Sequence, residues 1–181
     1  MTLPRAVLLC ALALLAAAGS VRAQVEAPDA EEYAVWAAVL DSLAPEAREV
    51  RLADSAFVLE VAVGRRNDLM VAARMEFTRF DSAAIESFVV RNARGVRIGR
   101  FSARRPFRLV STDLDEDFSL RLQGTHIVFI SRPGFNEGRT RAVLSLAYYC
   151  GIWCGQGFVY ALEREPGGVW RVARKETLWL T

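Results

Sequence analysis

The chain has 181 residues, of which 52% are hydrophobic and 24% are charged, and its formal net charge is +2. This length predicts one ordinary domain that buries about 70% of its unfolded surface, so the chain does not need a disulfide in order to fold. The balance of charge argues against a nucleic-acid-binding protein, and one histidine leaves at most one candidate for histidine-dependent catalysis.

Residues 1–23 have the composition of a secretory signal peptide. Arg5 precedes an apolar run of 13 residues, 6–18, and a small residue at Ala23 offers a cleavage site. The run is shorter than the about 20 residues that span a bilayer, and no later segment is long and apolar enough to do so. Cleavage leaves 21 basic and 21 acidic residues and two cysteines. The sequence therefore predicts an exported protein, periplasmic or secreted, with a single α+β domain over residues 24–181.

The residues that follow the signal peptide predict helices and short extended segments. Asp29 is a typical N-cap for a helix over about 30–43, and Glu32 stands at its capping-box position. The other predicted elements are helices that begin at Asn67 and Asp81 and extended segments over Val50 to Val63 and Phe107 to Val110.

Residues 126–180 predict a meander of four antiparallel strands, because three groups of turn residues divide an alternating apolar pattern. If the turns centre on Asn136, Ile152 and Pro166, position 128 lies opposite 144, position 146 opposite 158, and position 162 opposite 170. One face of the sheet then carries ten apolar side chains: Val128, Ile130, Leu144, Leu146, Tyr148, Phe158, Tyr160, Leu162, Trp170 and Val172. The predicted class is α+β, with N-terminal helices packed on this C-terminal four-stranded antiparallel meander.

Cys150 and Cys154 flank three residues in a glycine-rich hairpin loop. The register sets the two cysteines opposite each other, at a distance compatible with a disulfide that fixes the loop. A thiol-redox pair and a metal site are the alternatives. The redox alternative lacks the C-x-x-C spacing. The metal alternative needs a third ligand, and the register places His126 roughly 13 Å from Cys150, on the core face beside Leu146.

Two further groups of charged residues have weaker functional interpretations. Asp113, Asp115 and Asp117 match the first positions of a calcium loop, but Phe118 replaces the turn glycine, so a solvated acidic turn is favoured. An arginine series could bind an anionic surface, although a solvated face balanced by the nearby acidic turn is favoured. The series comprises Arg91, Arg94, Arg97 and Arg100.

The C-terminal third of the chain resembles a family of small exported bacterial proteins of unassigned function. The resemblance lies in Ser131-Arg132 with Gly134-Phe135-Asn136, in Cys150-Gly151, in Gly155-Gln156-Gly157, and in Trp170 and Trp179-Leu180-Thr181. It implies a shared fold and a periplasmic or secreted location, and it transfers no catalytic residue. Pro133 stands where the family is expected to have valine.

No complete catalytic set can be assembled from these residues, and no cofactor or metal is implied. The sequence therefore predicts a non-enzymatic exported module that binds a partner or ligand of the cell envelope. The alternative is a periplasmic thiol-redox or metal-handling protein that uses Cys150 and Cys154. The candidate binding surface is a rim formed by Arg132, Phe135, Asn136 and Trp153, unless Trp153 folds back over the disulfide as a small satellite core.

Overall fold

The computed structural model describes residues 27–43, 50–56, 81–111, 126–151 and 154–180. The predicted signal peptide, the helix from Asn67 and the acidic turn at Asp113 to Asp117 lie outside these residues. The described helices are α1 (Ala30–Ser42) and α2 (Ser82–Arg91). The described strands are β1 (Val50–Ala53), β2 (Ser55–Ala56), β3 (Val96–Arg97), β4 (Phe107–Val110), β5 (Ile127–Ile130), β6 (Gly134–Phe135), β7 (Arg141–Gly151), β8 (Cys154–Arg164) and β9 (Trp170–Leu180).

Both helices begin where side-chain chemistry predicts. Oδ1 of Asp29 accepts the backbone N–H of Glu32 at 2.8 Å, and Oε2 of Glu32 accepts the N–H of Asp29 at 3.0 Å, which completes the capping box of α1. Oδ1 of Asp81 accepts the N–H of Ala83 at 3.0 Å at the start of α2. The predictions of helices at 30–43 and from Asp81 are therefore confirmed.

The fold class predicted from the sequence is wrong. The described part of the chain is mostly β, with a seven-stranded mixed sheet in the order β4-β1-β5-β7-β8-β9 and with β6 also paired to β7. β1 pairs in parallel with β4 and with β5, so β5 lies inside the sheet and not at the edge of a four-stranded meander. Turn signals in the sequence indicate only those strands that pair antiparallel with the next strand along the chain. Parallel pairing joins segments far apart in the chain and leaves no such local signal.

The predicted register of the antiparallel strands is correct at one turn, and it differs from the observed register at the other two. Leu146 lies opposite Phe158, as predicted. Val128 lies opposite Tyr148 and not position 144, because the turn is formed by residues 137–140, beyond Asn136. Leu162 lies opposite Val172 and not position 170. Both shifts are even, so side chains keep their face of the sheet, and all ten predicted apolar side chains lie in one core cluster with α1.

A break between β5 and β6 changes the register with β7 by one residue. The two strands pair with β7 in registers that differ by one residue, and residues 131–133 form the break. Ser131 replaces the missing ladder partner, since its Oγ accepts the backbone N–H of Ser145 at 2.8 Å. Its carbonyl accepts Nε1 of Trp36 at 2.8 Å, so α1 is fixed to the sheet at this break.

Among the described residues, α1 packs on one face of the sheet and α2 on part of the other. The first face, which carries Leu144 and Leu146, packs against Trp36 and the other buried residues of α1. The second face, which carries Val143 and Val159, packs against Ala84 and Ile85 of α2. α2 stands close to β6, where a Cβ at Gly134 would lie 2.1 Å from the backbone N of Phe88. Only glycine permits this approach.

Candidate functional site

Arg132, the first residue of the predicted rim, is an interior side chain that is 5% exposed. Its Nε donates to Oε1 of Glu32 at 2.8 Å, and its Nη2 donates to Oε2 at 2.9 Å. Two parallel bonds of this kind are a favourable geometry between arginine and a carboxylate. Arg132 therefore joins the break after β5 to α1 and cannot contribute to an exposed rim.

Glu32 is fully buried and is shared by two arginines. Nη2 of Arg91, the last residue of α2, lies 2.7 Å from Oε2 of Glu32. Asn92 continues the connection, since its side chain exchanges two 2.8 Å hydrogen bonds with the backbone N–H and carbonyl of Arg132. A buried carboxylate needs such partners because removal from water costs several kcal/mol per ion. Arg91 is thus occupied inside the fold and is not a free member of the predicted anionic-surface patch.

Phe135, the second rim residue, is also buried. Its ring packs against Trp170 with a centroid distance of 5.7 Å, and the guanidinium of Arg139 lies 4.3 Å from its centroid. Arg139 in turn binds Oδ2 of Asp29 at 2.7 Å. Burial disfavours the charged form of Asp29, but hydrogen bonds from Arg139 and from two backbone N–H groups outweigh it, so the pKa of this carboxyl lies below its ordinary value.

Asn136, the third rim residue, closes the turn before β7. Its Oδ1 accepts the backbone N–H groups of Thr140 at 2.9 Å and Arg141 at 3.1 Å. Trp153 lies outside the described residues. The rim is therefore corrected: Arg132 and Phe135 belong to the interior, and Asn136 has a structural role in its turn.

The disulfide links the ends of β7 and β8. Cys150 and Cys154 are joined with their Cα atoms 5.1 Å apart, and Cys154 is exposed. Cys150 is the extra residue of a bulge, because the pairing shifts between Tyr149 and Gly151. The predicted pair is thus present, and it fixes the hairpin tip.

The sequence predicted that His126 lies beside Leu146 on the core face, but Leu146 lies opposite Ile130. His126 is exposed, and its Nδ1 is hydrogen-bonded to the hydroxyl of Tyr148. Ile127, the next residue, lies opposite Tyr149 of β7. The only histidine of the chain therefore lies just before β5 and beside Tyr148 of β7. In this oxidised state, no three His, Cys, Asp or Glu side chains of the described segments are grouped to hold a metal ion.

The only lysine of the chain lies on the first face of the sheet, over two aromatic rings. Nζ of Lys175 is 3.8 Å from the ring centroid of Phe158 and 5.7 Å from that of Tyr160. Burial lowers the pKa of Lys175 and raises that of Tyr160 to about 12. The cation–π contacts hold the ammonium group of this lysine over the two rings.

The position of the Trp179 side chain explains why β8 has glycine at two positions. A Cβ at Gly157 would lie 2.1 Å from Nε1 of Trp179, and a Cβ at Gly155 would lie 3.0 Å from its ring. The indole therefore lies across both glycines and packs against Tyr149, with a centroid distance of 5.7 Å. The Gly-x-Gly motif serves packing on the second face.

A half-open groove of about 260 Å³ lies on the second face, between the start of α2 and β9. Small or aliphatic residues line its floor, and Asp81, Arg141, Glu163 and Arg174 stand around it. The floor residues are Ala84, Ala142, Val143, Ala161, Leu162 and Ala173, of which Ala142 and Leu162 have side chains in the core of the first face. Sequence reasoning missed this groove, because its residues come from four elements. Each element contributes only two or three of the lining residues, so no local pattern in the sequence indicates the groove.

Arg141 is held loosely at this groove. Its guanidinium lies 4.0 Å from Oδ2 of Asp81 and 4.0 Å from Oε1 of Glu163, and its side chain is 57% exposed. Charge-assisted hydrogen bonds are shorter, about 2.7–2.9 Å. Arg141 can therefore move onto a ligand carboxylate without breaking a tight ion pair.

No family model matches the chain, and no curated protein or solved structure is significantly similar to it. No helix in the described part of the chain is long and apolar enough to cross a membrane.

Proposed function

We propose that this chain is a non-enzymatic exported module that binds a partner of the cell envelope in the groove between α2 and β9. The observation that carries the proposal is the combination of a half-open cavity of about 260 Å³, an apolar floor and a loosely held arginine at its wall. Export itself rests on the predicted signal peptide at residues 1–23.

The lining favours a short extended segment of a partner protein that carries a carboxylate. Small floor residues leave room for a chain or a modest side chain, and Arg141 supplies a planar pair of donors for a carboxylate. Asp81 and Glu163 on the same walls would select against a ligand that carries several negative charges. The groove thus discriminates by shape and by one polar contact, as ligand sites usually do.

The proposal is tested by filling the groove. Ala173 lines it and is exposed, so Ala173→Trp should block it without disturbing the core. We expect affinity capture from the native envelope fraction to retain a species with the wild-type chain that is lost with Ala173→Trp and is weakened at least about tenfold by Arg141→Ala, which removes a charge-assisted contact.

Arg171→Ala is the matched control. Arg171 is an exposed arginine of β9, the strand that contains Ala173. It pairs with Glu165 at 3.0 Å and does not line the groove. It should retain the captured species at the wild-type level. Capture that survives Ala173→Trp in a folded variant would show that the groove is not the binding surface.

A further inference from the structure

We propose that Lys175 is a covalent binding site at which a small apolar aldehyde forms an imine. Lys175 is the only lysine of the chain, whose other basic side chains are arginines and one histidine. A guanidinium stays protonated in proteins, whereas a lysine amine becomes a nucleophile when it loses its proton. Lys175 is exposed on the first face of the sheet, so an aldehyde can reach it. The groove lies on the second face, so the two proposals stand or fail separately.

In the described part of the chain, the surroundings of Nζ are aromatic and carry no negative charge. Nζ lies 3.8 Å from the ring centroid of Phe158 and 5.7 Å from that of Tyr160. The carboxylate of the adjacent Glu176 pairs with Arg174 and not with Lys175. The buried hydroxyl of Tyr160 has no hydrogen-bond partner, so it does not bind Nζ either. Among the described residues, only ring faces hold the amine.

This environment favours the neutral amine. Burial lowers the pKa of Lys175, because the side chain is partly removed from water and no nearby carboxylate stabilises the ammonium ion. The cation–π contacts act in the opposite direction but are weak at an exposed side chain. A larger fraction of Lys175 is therefore neutral near pH 7 than of an ordinary lysine. The neutral amine is the form that attacks carbonyl compounds.

The reaction joins the two molecules and releases water, without an oxidant or a reductant. The lone pair of neutral Nζ attacks the carbonyl carbon, and the carbonyl π pair moves to the oxygen, which takes up one proton lost by the nitrogen. The resulting carbinolamine loses this hydroxyl together with the second proton of the nitrogen, as water, and a C=N bond replaces the C=O bond. One amine and one aldehyde thus give one imine and one water.

The test measures imine formation at Lys175 in the mature chain. Benzaldehyde is the probe, because the half-buried ring of Phe158 beside Nζ suits an apolar aldehyde. Cyanoborohydride reduces each imine to a stable secondary amine, and peptide mapping by mass spectrometry separates Lys175 from the N-terminal amine. We expect Lys175 to be labelled at pH 7 at least about threefold faster in the folded chain than in the chain unfolded in guanidinium chloride, because only the folded chain lowers its pKa.

Thr177 offers a matched pair of variants. It is exposed, and it lies on the same face as Lys175, since the two residues pair with Phe158 and Tyr160 of β8. Thr177→Glu places a carboxylate beside the amine, so it should slow labelling at pH 7 at least about threefold at low salt and shift the pH–rate profile to higher pH. Thr177→Gln adds the same bulk without the charge and should stay within about twofold of wild type. Equal rates in the folded and unfolded chains, or equal rates for the two Thr177 variants, would overturn the proposal.

Discussion

Glu32 is the residue whose environment most constrains this fold. It caps α1, and its carboxylate is buried between Arg91 and Arg132. The three charges come from α1, α2 and the break after β5, so one carboxylate joins three separate parts of the chain. Removing one member of such a cluster leaves the others buried without a partner, and this costs more than the intact cluster contributes.

Glu32→Gln should therefore lower the free energy of unfolding by about 3 kcal/mol or more, because the buried Arg132 and the half-buried Arg91 lose their counter-charge. Glu165→Gln is the control, since it breaks an exposed pair with Arg171 and should change stability by less than about 0.5 kcal/mol. Urea denaturation of both variants measures the difference. Equal losses would mean that the buried carboxylate is not the centre of the cluster.

At the scale of the elements, two glycines allow neighbouring parts of the structure to approach closely, and the neighbouring group differs between them. Gly134 admits the backbone of α2, which cannot move without shifting the whole helix. Gly157 admits the indole of Trp179, which is a side chain and can rotate. At both positions an added Cβ would lie 2.1 Å from its nearest atom. That atom belongs to helix backbone at Gly134 and to a side chain at Gly157, so the cost of moving it differs.

Gly134→Ala should therefore destabilise the protein by about 2 kcal/mol or more, and Gly157→Ala by less, within the range of about 1–3 kcal/mol for overpacking. Combining Gly157→Ala with Trp179→Ala should show coupling in a double-mutant cycle, because the second change removes the clash. Gly167→Ala, with nothing within 4 Å of its Cβ, is the matched control. Thermal unfolding of the variants provides the comparison, and a larger loss for Gly157→Ala would reverse this explanation.

At the scale of the whole molecule, the mixed sheet places β5 between β1 and β7. In the four-stranded meander that the sequence predicted, β5 would be an edge strand with one row of unpaired backbone groups. The two architectures therefore differ in the protection of the same four residues, Ile127–Ile130.

Amide hydrogen exchange separates the two architectures. We expect the amides of β5 that face β1 and those that face β7 to exchange slowly, at rates comparable to the centre of β7. The amides of the edge strands β4 and β9 that face away from the sheet should exchange at least about tenfold faster, because they open locally at lower free energy. Fast exchange along one side of β5 would support the meander instead.

The sequence by itself determined the features that depend on neighbours in the chain. The Asp29 and Asp81 caps, the Cys150–Cys154 hairpin and the apolar face of β7 and β8 follow from local hydrogen bonding and from alternation with period two. The composition of this face was predicted correctly despite the register errors, because each shift was an even number of residues.

Only the tertiary structure decided the features that depend on distant segments. Parallel pairing of β1 with β4 and β5 leaves no turn signal, so the position of β5 could not be read from the chain. The burial of Arg132 depends on Glu32, 100 residues earlier, and an arginine beside a turn otherwise indicates an exposed side chain. The contact of His126 with Tyr148 and the groove beside Arg141 likewise arise where separate elements meet, because only packing sets which side chains face one another.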